Sequence, residues 1–149
     1  MRQNFDGSIY VNFSVGNNEK VRKKLLEVLK TLRGVTYDEL EVSDESRIRY
    51  LKNLRKFSLV PCPEGNGIDT HRLWETLYMG GTPVITRSNY LPPMINLLPV
   101  IQLNSWDELS NINHLESLWH SLNENSYDFK FLRSSFWVDY ILKAETNRS

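Results

Sequence analysis

A chain of 149 residues with 40 % hydrophobic and 24 % charged side chains is long enough to bury one core unaided, which excludes a disordered polymer and a metal- or disulfide-stapled miniprotein. Eighteen basic side chains against eighteen acidic ones exclude a whole-molecule field that would draw the protein to nucleic acid or an anionic membrane. One cysteine, Cys62, excludes an internal disulfide, and no run of eighteen apolar residues marks a membrane span.

The charges are unevenly spread. Residues 1–60 carry twelve Lys/Arg against eight Asp/Glu, and residues 61–149 carry six against ten, so a local anion site in the first part is permitted. The first seven residues lack the apolar stretch of a signal peptide, and a single soluble, cytoplasmic domain over 1–149 is expected.

In chain order, Ile9 to Val15 reads as a β-branched and aromatic strand closed by Gly16-Asn17-Asn18. Val21, Leu25, Val28, Leu29 and Leu32 follow at helical spacing as one apolar stripe, with Gly34 placed as a C-cap glycine. Val35 to Tyr37 is a short strand. Ser43, Asp44 and Glu45 put caps and negative charge at the start of a second helix, with Ile48, Leu51 and Leu54 facing the core. Phe57 to Val60 is a buried strand stopped by Pro61 and Pro63, and Cys62 fits a small buried hydrophobe at its end.

A glycine-containing loop leads into a helix over 70–79, whose Leu73, Trp74 and Leu77 pack on the sheet and which Gly80-Gly81 ends. Pro83 to Thr86 and Val100 to Leu103 are two further strands, separated by the proline-rich 90–99. Helices over 106–122 and 131–144 close the chain. Strands alternating with helices give an α/β domain, a Rossmann-like parallel sheet of about five strands with helices on both faces. Ligands of such sheets bind beyond the carboxyl ends of the strands.

The segment Gly65 to Glu75 sits after a strand and opens a helix, where free backbone N–H groups and the helix dipole favour an anion such as phosphate. Gly65 and Gly67 allow close backbone approach, Asp69 or Thr70 can cap, and His71 and Arg72 add donors in the first turn. Glu75 lies one turn on from His71, where a carboxylate suits the two hydroxyls of a ribose. Spacing alone leaves a second reading open, an ordinary Gly-Asn-Gly loop with a surface Arg72–Glu75 ion pair.

Sharper motifs are excluded. The third glycine of the dinucleotide fingerprint is missing, and no acidic residue follows about twenty positions on, which disfavours NAD. There is no P-loop, no Asp-x-Asp and no Gly-x-Ser-x-Gly, while His71, His114 and His120 lack metal-ligand spacing and Cys62 has no evident partner base. No metal or cofactor is therefore expected. A phosphoacceptor domain is disfavoured by the lack of an acidic pair after the first strand.

The same segment resembles the exostosin-type glycosyltransferases, through Phe57-Ser58-Leu59-Val60-Pro61, the loop Gly65-Asn66-Gly67, the helix start Asp69-Thr70-His71-Arg72-Leu73-Trp74-Glu75 and the strand Gly81-Thr82-Pro83-Val84-Ile85. Weaker similarity lies at Phe13-Ser14 with Arg22, and at Phe136-Trp137-Val138-Asp139-Tyr140-Ile141. The resemblance implies the C-terminal, donor-binding half of a two-domain, metal-independent GT-B enzyme that transfers a sugar from a nucleotide-diphosphate donor to a carbohydrate acceptor. By it, Arg72 and Arg22 neutralise the diphosphate and Glu75 binds ribose. Asn66, Gly67, Asp69, Thr70 and His71 complete the nucleotide-sugar site. The bland reading of Arg22 is a solvated helix face shared with Lys20, Lys23 and Lys24. The acceptor-binding half and general base are expected from a preceding domain or partner subunit. The competing reading is a non-catalytic Rossmann-like interaction module.

Overall fold

The computed structural model describes residues 4–39, 42–88 and 90–146, the last four in backbone only. Among them are five strands and five α-helices, alternating as far as β4: β1 (Ile9–Val11), α1 (Glu19–Lys30), β2 (Val35–Tyr37), α2 (Asp44–Lys56), β3 (Val60–Pro61), α3 (His71–Tyr78), β4 (Pro83–Thr86), β5 (Ile101–Leu103), α4 (Ile112–Glu124) and α5 (Ser134–Thr146). Short 3-10 turns occupy Pro93–Leu97, Trp106–Ser110 and Phe129–Leu132.

All strand pairs are parallel, each joined by a crossover long enough to return the chain to the same end of the sheet. The strands form two sheets rather than the expected one, a pair β1-β2 and a triplet β3-β4-β5. A single parallel bridge, Ile9 to Leu59, joins them, with the Tyr10 amide donating to the Leu59 carbonyl at 3.0 Å and the Leu59 amide to Ser8 at 3.0 Å. Across that bridge the order runs β2-β1-β3-β4-β5, and the direction of progression reverses between β1 and β3.

Strand residues alternate between two cores. Ile9, Val11, Val84, Ile101 and Leu103 meet Leu25 and Leu29 of α1 and Leu115 and Trp119 of α4. Tyr10, Val60, Ile85 and Val100 meet Tyr50 and Leu54 of α2 and Leu73 and Leu77 of α3. Helices thus cover both faces, and each fully buried leucine contributes roughly 2 kcal/mol of hydrophobic stabilisation.

Several expected boundaries move. The first strand ends at Val11, because the Asn12 side chain turns away to bond the carbonyls of Asp38 and Glu39. Helix α1 starts on Asn18 and is capped at Thr31, so Gly34 lies beyond it and serves β1 by accepting the Ile9 amide. On α2 the buried residues are Ser46, Tyr50 and Leu54, spaced by four, whereas Ile48 is 52 % exposed. Pro61 is inside β3, since a proline carbonyl still serves a parallel ladder. The expected helix over 106–122 is interrupted at Asn111, whose non-helical backbone ends one turn while its side chain caps α4 at the His114 amide.

A Cβ on Gly81 would lie 2.1 Å from the Leu54 carbonyl oxygen, so only glycine lets the chain pass from α3 to β4 beneath the end of α2. Among the described residues no helix is long and apolar enough to cross a membrane.

Candidate functional site

A cleft of about 850 Å³ opens where the strand order reverses, between the segments that leave the carboxyl ends of β1 and β3. That is where open parallel sheets bind ligands, because the two segments diverge to opposite faces and leave a crevice between them. The volume suits a small organic ligand. Arg22, Asn66, Gly67, Asp69, Thr70, His71, Arg72 and Glu75 all line it. The sequence also left this cleft with residues not anticipated as site residues, above all Asn12, Arg47 and Tyr50.

Arg72, in the first turn of α3, lies over two rings, its Cζ 5.3 Å from the Tyr50 centroid and 5.9 Å from that of Phe13. Nη2 makes a long bond of 3.4 Å to Asn12 Oδ1, while Nη1 is buried and has no partner among the described residues. Asn12 is oriented by its own amide nitrogen, which donates to Asp38 and Glu39, so its oxygen is the atom left facing Arg72. The Arg72–Glu75 ion pair weighed from spacing does not form, because Glu75 is engaged by Arg47.

Arg22 is buried, in contrast to the solvated face expected for it. Nε donates to the Glu64 carbonyl at 2.9 Å and Nη1 to the Ser14 carbonyl at 2.5 Å, so the side chain ties the loop after β1 to the loop after β3. Asn18 adds a second tie, to the Gly65 carbonyl at 3.4 Å. A Cβ on Gly65 would come to 3.0 Å from Arg22 Nη2, so a larger residue there would press on the guanidinium. Burial first, and the Arg72 cation second, lower the Arg22 pKa. The two guanidinium groups share one aromatic wall, Phe13, and repel each other across it.

The start of α3 leaves donors uncommitted. Thr70 occupies the N-cap but makes no capping bond, and its hydroxyl is buried without a partner. The amides of His71 and Arg72 have no acceptor among the described residues. Asp69 does not cap either, because its carboxylate accepts the Trp74 indole N–H. His71 is exposed at the rim, as are Asn66 and Gly67.

Glu75 is half-buried and held at both oxygens, Oε1 by Arg47 Nη2 at 2.8 Å and Oε2 by the Tyr50 hydroxyl at 2.6 Å. Burial alone would raise its carboxyl, but the Tyr50 hydroxyl and the Arg47 guanidinium outweigh that and hold it below the usual carboxylate range. Burial drives the Tyr50 phenol upward against the opposing pull of Arg72, so it stays a neutral donor. Behind the site, the Tyr10 hydroxyl donates to Asp38 at 2.9 Å, and burial together with that carboxylate pushes the phenol up to about 12.

The proline-rich 90–99 segment lies apart from this cleft. Leu91, Pro92, Ile95 and Asn96 line a separate hollow of about 330 Å³ with Arg87 and Gln102. Among the described residues no group of three or more His, Cys, Asp and Glu side chains is arranged to hold a metal. Cys62 is fully buried, and burial pushes its thiol up to about 12, consistent with a packing role. Neither the protein-family models nor the curated proteins give a match to this chain.

Proposed function

We propose that the chain is the donor-binding domain of a glycosyltransferase, transferring a sugar from a nucleotide-diphosphate donor to a carbohydrate acceptor, with the fold of the C-terminal half of a GT-B enzyme. The observation that carries the reading is the Arg72 guanidinium, placed at a helix start with one buried nitrogen unpartnered, beside a second buried guanidinium and with no carboxylate pairing either cation among the described residues. A buried donor left unsatisfied costs about 1–3 kcal/mol, which a pyrophosphate oxygen would recover. Thr70 Oγ and the first amides of α3 supply further donors on the same wall.

In this reading the diphosphate rests against Arg72, Arg22 and the start of α3, and Glu75 accepts the ribose hydroxyls. Asn66, Gly67, Asp69 and His71 border the sugar. The chemistry contributed by this domain is electrostatic. As the glycosidic bond to the donor breaks, negative charge grows on the leaving diphosphate, and fixed cations aimed at it lower the barrier. Deprotonation of the acceptor falls to a second domain or partner subunit facing the cleft.

Calorimetric titration with UDP, GDP and their sugars tests the reading. Saturable binding of at least one nucleoside diphosphate at micromolar to millimolar affinity is expected. A folded protein that binds none of them at millimolar concentration overturns it, and leaves the non-catalytic module.

A further inference from the structure

We propose that Tyr50 and Arg47 are positioning residues that hold the Glu75 carboxylate as an acceptor for a vicinal diol, so that the cleft selects ribonucleotides over their 2′-deoxy counterparts. The inference rests on the nucleotide-binding reading above and adds residues and a selectivity to it.

A carboxylate offers two lone-pair directions on each oxygen. Glu75 uses one on each, Oε1 toward Arg47 and Oε2 toward Tyr50, and therefore keeps one on each for hydroxyl donors entering the cleft it lines. Both holding groups come from one face of α2, at positions 47 and 50, one turn apart on a helix that Ser43 and Ser46 cap reciprocally. The carboxylate is thus held from a single helix, by a buried phenol and a half-exposed guanidinium. Two cations contact the Tyr50 ring, the Arg47 and Arg72 Cζ atoms each 5.3 Å from its centroid, so the groups facing the phosphates and the hydroxyls are linked through one side chain.

A mere tie between α2 and α3 would not need its carboxylate at the cleft wall, nor a half-buried acid kept ionised there by two convergent donors. A fixed ionised acceptor rewards a ligand with two adjacent O–H groups. One lacking the 2′-hydroxyl leaves an oxygen of Glu75 without a donor.

The test is calorimetric titration of the full chain and of Tyr50→Phe with UDP, 2′-deoxy-UDP, GDP, 2′-deoxy-GDP and inorganic pyrophosphate. The native protein should prefer the ribonucleotide by about tenfold, one hydrogen bond to a charged group. Tyr50→Phe should cut that ratio to about threefold or less, losing more affinity for the ribonucleotide than for the deoxyribonucleotide. A ratio that Tyr50→Phe leaves intact overturns the assignment. So does a native protein that binds both nucleotides alike, in which case the diphosphate reading survives alone. If pyrophosphate and all four nucleotides fail to bind, both readings fall. Should Tyr50→Phe not fold, the exposed Arg47→Gln carries the same comparison, with the same fall in ratio expected and an unchanged ratio decisive against it.

Discussion

Replacing Arg72 by alanine separates ligand binding from stability. The side chain contributes two ring contacts and one long hydrogen bond to the folded protein, and its charge opposes that of Arg22, so truncation should cost no more than about 1 kcal/mol of stability. For a ligand the balance differs, because a buried guanidinium nitrogen with no protein partner offers a charge-assisted bond worth about 1.5–3 kcal/mol. The middle of that range is about fiftyfold in affinity. At a nucleotide concentration a hundred times the native Kd, binding stabilises the native protein by about 2.7 kcal/mol, or roughly 8 °C in melting temperature. At the same concentration Arg72→Ala should gain only ~0.6 kcal/mol, or roughly 2 °C. Differential scanning calorimetry of both proteins across a series of UDP and GDP concentrations reads this directly, and Arg72→Lys should fall between, since it restores the charge but not the planar fork. A ligand-induced shift equally large in Arg72→Ala would refute the placement of the diphosphate.

Arg22→Met should destabilise by about 2 kcal/mol in urea titration, because the carbonyls of Ser14 and Glu64 lose a buried donor, whereas Lys23→Ala on the exposed side of the same helix should stay within about 0.5 kcal/mol. Equal effects would mean that Arg22 does not bridge the loops. The depressed Glu75 carboxyl stabilises the fold above its unfolded pKa, and that contribution is lost as pH falls through the folded one. The melting-temperature gap between native protein and Glu75→Gln should therefore be constant from about pH 6 to 8 and narrow as pH falls below about 4.5; a gap that widens on acidification would contradict the direction of the shift. Cys62 should resist iodoacetamide in the folded state and react fully in guanidinium, and rapid labelling without denaturant would show the thiol is not sealed in the core.

Those parts of the fold governed by local pattern were legible in the sequence. Leu25 and Leu29 are fully buried at the spacing that announced α1, and Ser43 caps α2 where a serine before two acids predicts it. What went unread depends on partners distant in sequence. Ile48 is exposed because α2 rests on Ser46, Tyr50 and Leu54, and a tyrosine and a serine carry no apolar signature until Glu75 of another helix supplies the hydroxyl with an acceptor. Arg22 sits among lysines in the sequence, and only carbonyls at positions 14 and 64 explain its burial. Asn12 sits in a run that reads as strand, and its role emerges sixty positions away at Arg72. The single sheet expected from alternation is divided because β1 and β3 share one bridge, a matter of strand length that residue propensity does not fix.

The cleft's chemistry follows from which charges are already answered. Of the acids lining it, Glu75 is matched by the Arg47 cation, while Asp69 accepts from the neutral Trp74 indole. Glu39, just after β2, and Asp44, in the first turn of α2, make no ion pair among the described residues. Of the cations, Arg47 is matched, while Arg22 and Arg72 donate only to neutral oxygens. The site is therefore polarised despite the neutral whole, cationic between the loop after β1 and α3, acidic beside α2. A uniform dianion such as free phosphate would satisfy only the first wall. A ligand with an anionic centre and hydroxyl-rich ends satisfies both, which is the charge pattern of a sugar nucleotide and the reason the two walls must be tested separately, with pyrophosphate for one and the ribose hydroxyls for the other.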